Sequence, residues 1–160
     1  YVPILNYVTG NLDTTREMLT HRDTLPGLGD GGAHVGIICD ASTPTFLLTH
    51  WARDRKRGAK LPIETVISRQ ARETAAAVGL NDRGVIAAGY KADINVIDFD
   101  RLTLRAPEVA YDLPTGGRRL MQRAEGYVAT IVSGAVVRRE GVDTGARPGR
   151  LVRGAQRAQA

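Results

Sequence analysis

Residues 72–98, "RETAAAVGLNDRGVIAAGYKADINVID", contain the change of pattern that decides the fold. Up to Gly79 the apolar residues keep helical spacing, and this helix is predicted to begin near Pro62. Beyond Gly84 the apolar residues are largely β-branched and lie in short runs bounded by glycine, which is typical of strands. The stretch therefore predicts a helical first half and a β-rich second half, with a boundary near residue 80.

Two further helices are predicted before this stretch. Residues 11–21 begin with Asn11, whose side chain can accept a first-turn amide, as can that of Asp13. Residues 42–58 begin with a Ser-Thr-Pro sequence suited to a helix start, with Ser42 or Thr43 as the cap. This segment becomes basic toward its end, as the helix dipole favours.

The β-rich half predicts a strand in residues 91–99 and a hairpin in residues 126–141 that turns at Ser133 and Gly134. Asp93 lies at the start of the first strand, where we expect it to make a structural hydrogen bond. Two further aspartates nearby are expected in turns; they are Asp98 and Asp100.

Two segments of this half are predicted to lack regular structure. Residues 107–120 are rich in proline and glycine, which interrupt both helices and strands. The tail from residue 143 is predicted to be extended and then frayed.

The composition predicts a globular domain, since 42% of the 160 residues are hydrophobic and 24% are charged. No run reaches the roughly 18 apolar residues of a membrane span, and no secretory signal pattern is found, so we expect a cytoplasmic protein. A single cysteine, Cys39, excludes an internal disulfide and a cysteine-based zinc cluster, and it is expected to be a small packed side chain.

The net charge of +5 raises the hypothesis of a nucleic-acid partner. The basic residues are scattered, however, and aromatic residues make up only 5% of the chain. A single-strand platform needs stacking rings beside its charges, so the basic residues are interpreted as solvated surface and no nucleic-acid partner is expected.

The segment "TLPGLGDGGAHVG", residues 24–36, is unusually rich in glycine. Residues 27–32 satisfy G-x-G-x-x-G, but no apolar strand precedes them, so the dinucleotide-binding interpretation is rejected. A plain turn and the rim of a catalytic pocket remain. The pocket interpretation depends on Asp30 and His34, which are separated only by small residues that leave room for a ligand.

Several of these segments, in this order, resemble the C-terminal part of the amidohydrolase superfamily, and within it the N-acyl-D-amino-acid deacylases. The segment "GDGGAH" is similar to the end of the eighth strand of that family's barrel, and "RGVIAAGYKADINVID" is typical of the superfamily. The deacylase branch is indicated by "DLPTGGRRLMQRAEGYVATIVSGAVVRREG" and by "TGARPGRLVRG".

The resemblance implies an α/β plus β fold. Residues 1–80 would be the C-terminal remnant of a (β/α)8 TIM-type barrel, and residues 81–160 the last strands of a small β-sandwich domain. Other strands of that domain would lie elsewhere in the protein, so exposed sheet edges and a possible homo-oligomer are expected.

The resemblance also implies a reaction, which is hydrolysis of an N-acyl-D-amino acid by water activated on one or two Zn²⁺ ions. Asp30 would be the catalytic acid/base and a metal-associated residue, because a carboxylate beside the water can relay its proton to the leaving nitrogen. His34, Gly31 and Gly32 would contact the substrate. His21 and His50 are expected to be helix-end and helix-surface residues.

The metal ligands that the family requires are not found in this sequence, which has three separated histidines and no H-x-H pair. A complete barrel takes about 250 residues, so we expect the chain, which begins with Tyr1, to be an inactive fragment of a longer enzyme. A cyclic-amide hydrolase of the hydantoinase or dihydroorotase kind and a non-catalytic binding module are the alternatives.

Overall fold

The computed structural model of the chain describes residues 11–27, 29 and 31–158. Helices occupy the first half and strands the second, as predicted. The helices are α1 (Asp13–Thr20), α2 (Thr43–Phe46, continued by a π-helical segment Leu47–Asp54), α3 (Ile63–Ser68, continued by a π-helical segment Arg69–Glu73) and α4 (Thr74–Ala77). Short 3₁₀ turns span Asp40–Ser42 and Pro114–Gly116. The strands are β1 (Leu80–Asn81), β2 (Ile94–Ile97), β3 (Thr103–Leu104), β4 (Glu108–Ala110), β5 (Arg119–Met121), β6 (Ala124–Glu125), β7 (Tyr127–Val132), β8 (Ala135–Arg139), β9 (Val142–Asp143) and β10 (Gln156–Arg157).

Helices α1 and α2 begin near the predicted positions. The predicted side-chain contact is present at the start of α1 and absent at the start of α2. Asn11 accepts the amide hydrogen of Asp13 at 2.9 Å, as expected for a first-turn amide. Ser42 directly precedes α2, but its hydroxyl donates to the side-chain oxygen of Gln122 at 2.5 Å and caps nothing. The start of α2 is therefore tied to the β-rich half.

The π-helical continuation of α2 ends at Asp54, four residues before the predicted end. The backbone N–H of Arg55 donates to the carbonyl of His50 at 2.8 Å, an i to i+5 bond typical of a π turn. Arg55 then leaves the helix, with φ −57° and ψ 124°. Its side chain packs over the Trp51 ring, with 4.7 Å between the guanidinium carbon and the ring centroid.

The strands form four small open sheets. The largest has the order β2-β7-β8-β9, and all its pairs are antiparallel. The predicted hairpin is confirmed, since β7 and β8 are joined through Ser133 and Gly134, both with positive φ. Asp93 has the predicted structural role, because it accepts the amide hydrogen of Ser133 at 2.8 Å. Asp98 likewise accepts the amide hydrogen of Arg101 at 3.1 Å in a turn.

Both segments predicted to be irregular contain short strands, so those predictions were wrong in part. Within residues 107–120, β4 pairs with the start of β5 across a loop that contains the proline and glycines. In the tail, β10 pairs in parallel with β1, and the Gln156 amide donates to the Gly79 carbonyl at 2.8 Å. The tail is held at this point by backbone hydrogen bonds and is not frayed there.

One hydrophobic cluster joins the helical and β-rich halves. Leu102, from the β-rich half, is fully buried among side chains of α2 and α3 and the segment between them. Ile97, Phe99 and Tyr127 pack against the same cluster. Its other buried members are Leu47, Leu48, Trp51, Leu61 and Val66.

The structure has the expected mixture of helices and strands, while the barrel remnant and the β-sandwich expected from the resemblance stay predictions. Residues 11–27, 29 and 31–80 contribute helices and the short strand β1, and they form no closed barrel. A (β/α)8 barrel closes only when all eight of its strands pair in a ring, so a remnant of one would form no closed barrel by itself. Cys39 is a free, half-buried thiol.

No helix of the described ranges has the length and apolar character that a bilayer crossing requires.

Candidate functional site

The predicted site lies in the glycine-rich loop between α1 and α2. Gly31, Gly32 and His34 are all exposed in this loop. Asp30, the predicted acid/base, lies outside the described residues. Its predicted role and the substrate-contacting roles of the other three therefore remain predictions.

Two of the loop glycines are explained by close packing. A Cβ atom on Gly31 would lie 2.7 Å from the Cβ and 2.9 Å from the backbone nitrogen of Ala41. A Cβ on Gly29 would collide with the carboxylate of Asp40 and lie 2.9 Å from its carbonyl oxygen. The loop thus lies directly against the 3₁₀ turn Asp40–Ser42, and a larger side chain at either glycine would push it away.

Backbone conformation explains the next part of the loop. Gly32 has a φ of +106°, which side chains rarely adopt, and His34 has a φ of +43° in the left-handed region. The carbonyl of His34 accepts the amide hydrogens of Ile37 at 2.9 Å and Ile38 at 3.2 Å. A tight turn therefore holds the His34 backbone while its imidazole remains exposed.

Two contacts fix the loop from either side. On the N-terminal side, the Arg69 guanidinium donates to the carbonyls of Thr24 at 2.8 Å and His21 at 3.1 Å. On the C-terminal side, the Leu120 amide donates to the Val35 carbonyl at 2.7 Å. The loop is thus held at its start by the π-helical continuation of α3, which contains Arg69, and at its end by strand β5, which contains Leu120. Support from such rigid elements is what a binding site needs.

The described residues do not fit a metal centre by themselves. Within residues 11–27, 29 and 31–158, no three His, Cys, Asp or Glu side chains come together in a way that could bind one ion. A zinc site takes four ligands, or three protein ligands and a water. Any metal associated with Asp30 would therefore need ligands from outside these residues.

A second group of interacting side chains, around His50, was not predicted from the sequence. His50 lies in the predicted helix, but it is half-buried and not a plain surface residue. Its ring stacks on Phe46 with 4.8 Å between centroids and meets Trp51 edge-on at 5.2 Å. Burial, and then the nearby Arg55 cation, lower the pKa of His50, while Asp54 acts in the opposite direction.

The sequence does carry a signal for this group. Phe46 and His50 are four residues apart, the spacing at which helical side chains stack. Arg55 is harder to place because it follows the end of the helix. Its backbone position is fixed by the i to i+5 bond to His50, and no sequence pattern predicts that bond.

Comparisons with known proteins identify related sequences. The family model described as "Amidohydrolase family" matches residues 5–138. A D-aminoacylase from Alcaligenes xylosoxydans xylosoxydans is 37% identical over 106 residues, which cover 66% of this chain and 19% of that protein. The matched region thus spans about a fifth of the length of this curated relative. No solved structure matches the chain.

Proposed function

Because the chain belongs to the amidohydrolase family, we propose that it is the C-terminal part of a zinc-dependent enzyme that hydrolyses N-acyl-D-amino acids. The products would be a carboxylate and a D-amino acid. The observation that carries the proposal is the 37% identity to a D-aminoacylase over 106 residues. The prediction of this family from sequence motifs is confirmed by the family match.

Asp30 is the residue to which we assign the proton transfers. A carboxylate at this position would accept a proton from the attacking water and return it to the leaving nitrogen. The support is the resemblance of "GDGGAH" to the corresponding family segment, and the small residues on both sides of Asp30, which leave space for substrate.

We assign substrate contacts to His34, Gly31 and Gly32. The exposed imidazole of His34 can form a hydrogen bond with an acyl or carboxylate oxygen. Gly31 and Gly32 have no side chains, so a substrate could approach their backbone amides closely. The packing of Gly31 on Ala41 supports this assignment, since it fixes the position of the loop.

The zinc ions belong to the proposal for the longer enzyme. The described residues supply no complete ligand set, so the remaining ligands would come from other parts of that enzyme. When bound there, zinc would supply a water that is deprotonated near neutral pH.

The test is an assay of the full-length gene product that contains this chain. We expect release of D-amino acids from N-acetyl-D-amino acids, with much slower turnover of the L enantiomers. We also expect no turnover of hydantoins or dihydroorotate, and loss of activity on removal of zinc by a chelator. Turnover of the cyclic amides instead would replace the proposed substrate class.

Asp30→Asn in the same protein tests the assigned residue. We expect a loss of at least about 100-fold in kcat, the usual contribution of a general acid/base. Asp23→Asn is the matched control, because Asp23 is an exposed aspartate just before the same loop. If the folded Asp30→Asn protein retains full activity, the assignment is wrong.

A further inference from the structure

A cavity of about 360 Å³ lies beside the end of α2, away from the glycine-rich loop. Its volume is within the range of small-molecule sites. The residues that line it are Asn11, Leu12, His50, Asp54, Arg55, Lys56 and Arg57. The lining thus contains three cationic side chains and a histidine, but only one carboxylate.

The negative charges near this cavity already have partners. Asp54 accepts two hydrogen bonds from the Arg53 guanidinium, at 2.7 and 2.9 Å. Asp13, on α1, accepts a hydrogen bond from the Arg55 guanidinium. Lys56 and Arg57 are exposed and form no ion pair with any residue that the structure describes. The cavity therefore has an excess of positive charge.

Two residues of the lining each have a buried side-chain nitrogen without a hydrogen-bond partner in the part of the chain that the structure describes. The side chain of Arg55 is only 2% exposed. Its Nε donates to the Arg57 carbonyl and its Nη2 to Asp13, but its Nη1 has no hydrogen-bond partner among the described residues. The Nε2 atom of His50 is likewise buried and without a partner there. Buried polar groups of this kind normally bind something, since an unsatisfied donor is costly.

From the cavity, its charge and these two nitrogens, we propose that this site binds a small oxyanion, either a carboxylate or a phosphate. Both nitrogens are covered in this structure, so entry of the anion moves the Arg55 and His50 side chains, and one oxygen of the anion then accepts a hydrogen bond from Nη1 of Arg55. Nε2 of His50 donates a second, and Lys56 and Arg57 supply charge at the mouth of the site. We call this the Arg55 site.

The single tryptophan provides a direct readout. Trp51 is 2% exposed and contacts both Arg55 and His50. An anion bound between these two side chains changes the environment of the indole. Titration of the full chain with phosphate, and separately with acetate, should therefore change Trp51 fluorescence in a saturable way. Sodium chloride at the same ionic strength should not.

Variants of the exposed cations test the site without disturbing the core. Lys56→Gln and Arg57→Gln should each weaken anion binding about three- to fivefold, as expected for one charge near the anion in a wet site. Arg118→Gln is the matched control, because Arg118 is an exposed cation in the loop between β4 and β5 and does not line the cavity. It should bind like the wild type.

The pH dependence tests the contribution of His50. The charged groups around it are Asp54, Arg55, Lys56 and Arg57 from the end of α2, and Asp13 from α1 through Arg55. Histidine is the side chain whose charge ordinarily changes between about pH 5 and 8. Sulfate, whose charge is constant over this range, should therefore bind more tightly as the pH falls. His50→Gln should remove this increase.

Saturable binding of phosphate alone or of acetate alone would identify which oxyanion the site takes, and either supports the proposal. It is overturned if wild-type fluorescence responds to no anion beyond matched chloride. It is also overturned if Lys56→Gln and Arg57→Gln bind as tightly as Arg118→Gln. None of these results depends on the hydrolase proposal, since no activity is measured.

Discussion

The hydroxyl oxygens of Thr45 and Tyr127 lie 2.7 Å apart, although 82 residues separate them in the sequence. Thr45 is buried on α2, and Tyr127 begins strand β7. This hydrogen bond joins the helical half to the largest sheet. It lies next to the hydrophobic cluster that contains Leu102, so the two halves are connected by both polar and apolar contacts.

Removal of this hydrogen bond should destabilise the chain. We expect Tyr127→Phe to lower the free energy of unfolding by about 1 kcal/mol, because the buried Thr45 hydroxyl loses its long-range partner. Urea denaturation measures the change. Tyr111→Phe is the control, since Tyr111 is 70% exposed, and it should have little effect. Equal effects of the two substitutions would contradict a stabilising role for the bond.

A cavity at Leu102 should affect both halves together. Leu102→Ala removes a fully buried side chain, and we expect it to cost about 2–5 kcal/mol of unfolding free energy. Leu151→Ala, at a position that is 76% exposed, is the control.

The same Leu102→Ala experiment examines the predicted division near residue 80. Trp51 fluorescence reports on the helical half, and far-ultraviolet circular dichroism on both halves. We expect the two signals to shift to the same lower midpoint, because a shared core unfolds cooperatively. Separate midpoints would instead indicate that the halves unfold independently.

The glycine-rich loop gives a prediction about close packing. Gly31→Ala should destabilise the chain by about 1–3 kcal/mol, because the new methyl group would overlap the backbone and Cβ of Ala41. Gly27→Ala is the matched control in the same loop, since a Cβ there meets nothing within 4 Å. Its effect should stay within about 0.5 kcal/mol. A similar loss in both variants would mean that flexibility, and not packing, requires the glycines.

These examples also show which parts of the structure can be predicted from sequence. The three helical segments and the hairpin at Ser133 and Gly134 depend on local periodicity and turn residues, so the sequence predicts them. Strands β4 and β10 could not be found in this way, because they have only three and two residues. Their pairing depends on partners far away in the chain.

The two candidate sites also differ in how far local sequence features predict them. The loop of Gly31, Gly32 and His34 is visible in the sequence, because glycine density and motif order are local features. The reason for a glycine at position 31 cannot be predicted from the sequence, because it is the contact with Ala41 across the loop. The Arg55 site is likewise invisible, because Arg55 would be expected to be a solvated cation in the basic end of the helix.

The pH dependence of stability should report on His50. Burial lowers its pKa below the ordinary 6.5, so the unfolded chain takes up a proton at higher pH than the folded chain does. The stability that neutral His50 contributes is therefore present above about pH 6.5, and it is lost as the pH falls through the folded-state pKa.

Urea denaturation of the wild type between about pH 8 and 5, in buffers without phosphate or sulfate, measures this loss. His50→Gln should have a flatter profile over the same range, because its side chain does not titrate. Arg118→Gln should keep the wild-type profile. If His50→Gln loses as much stability on acidification as the wild type does, the fold does not lower the pKa of His50. The imidazole would then already have access to solvent or to a negative partner.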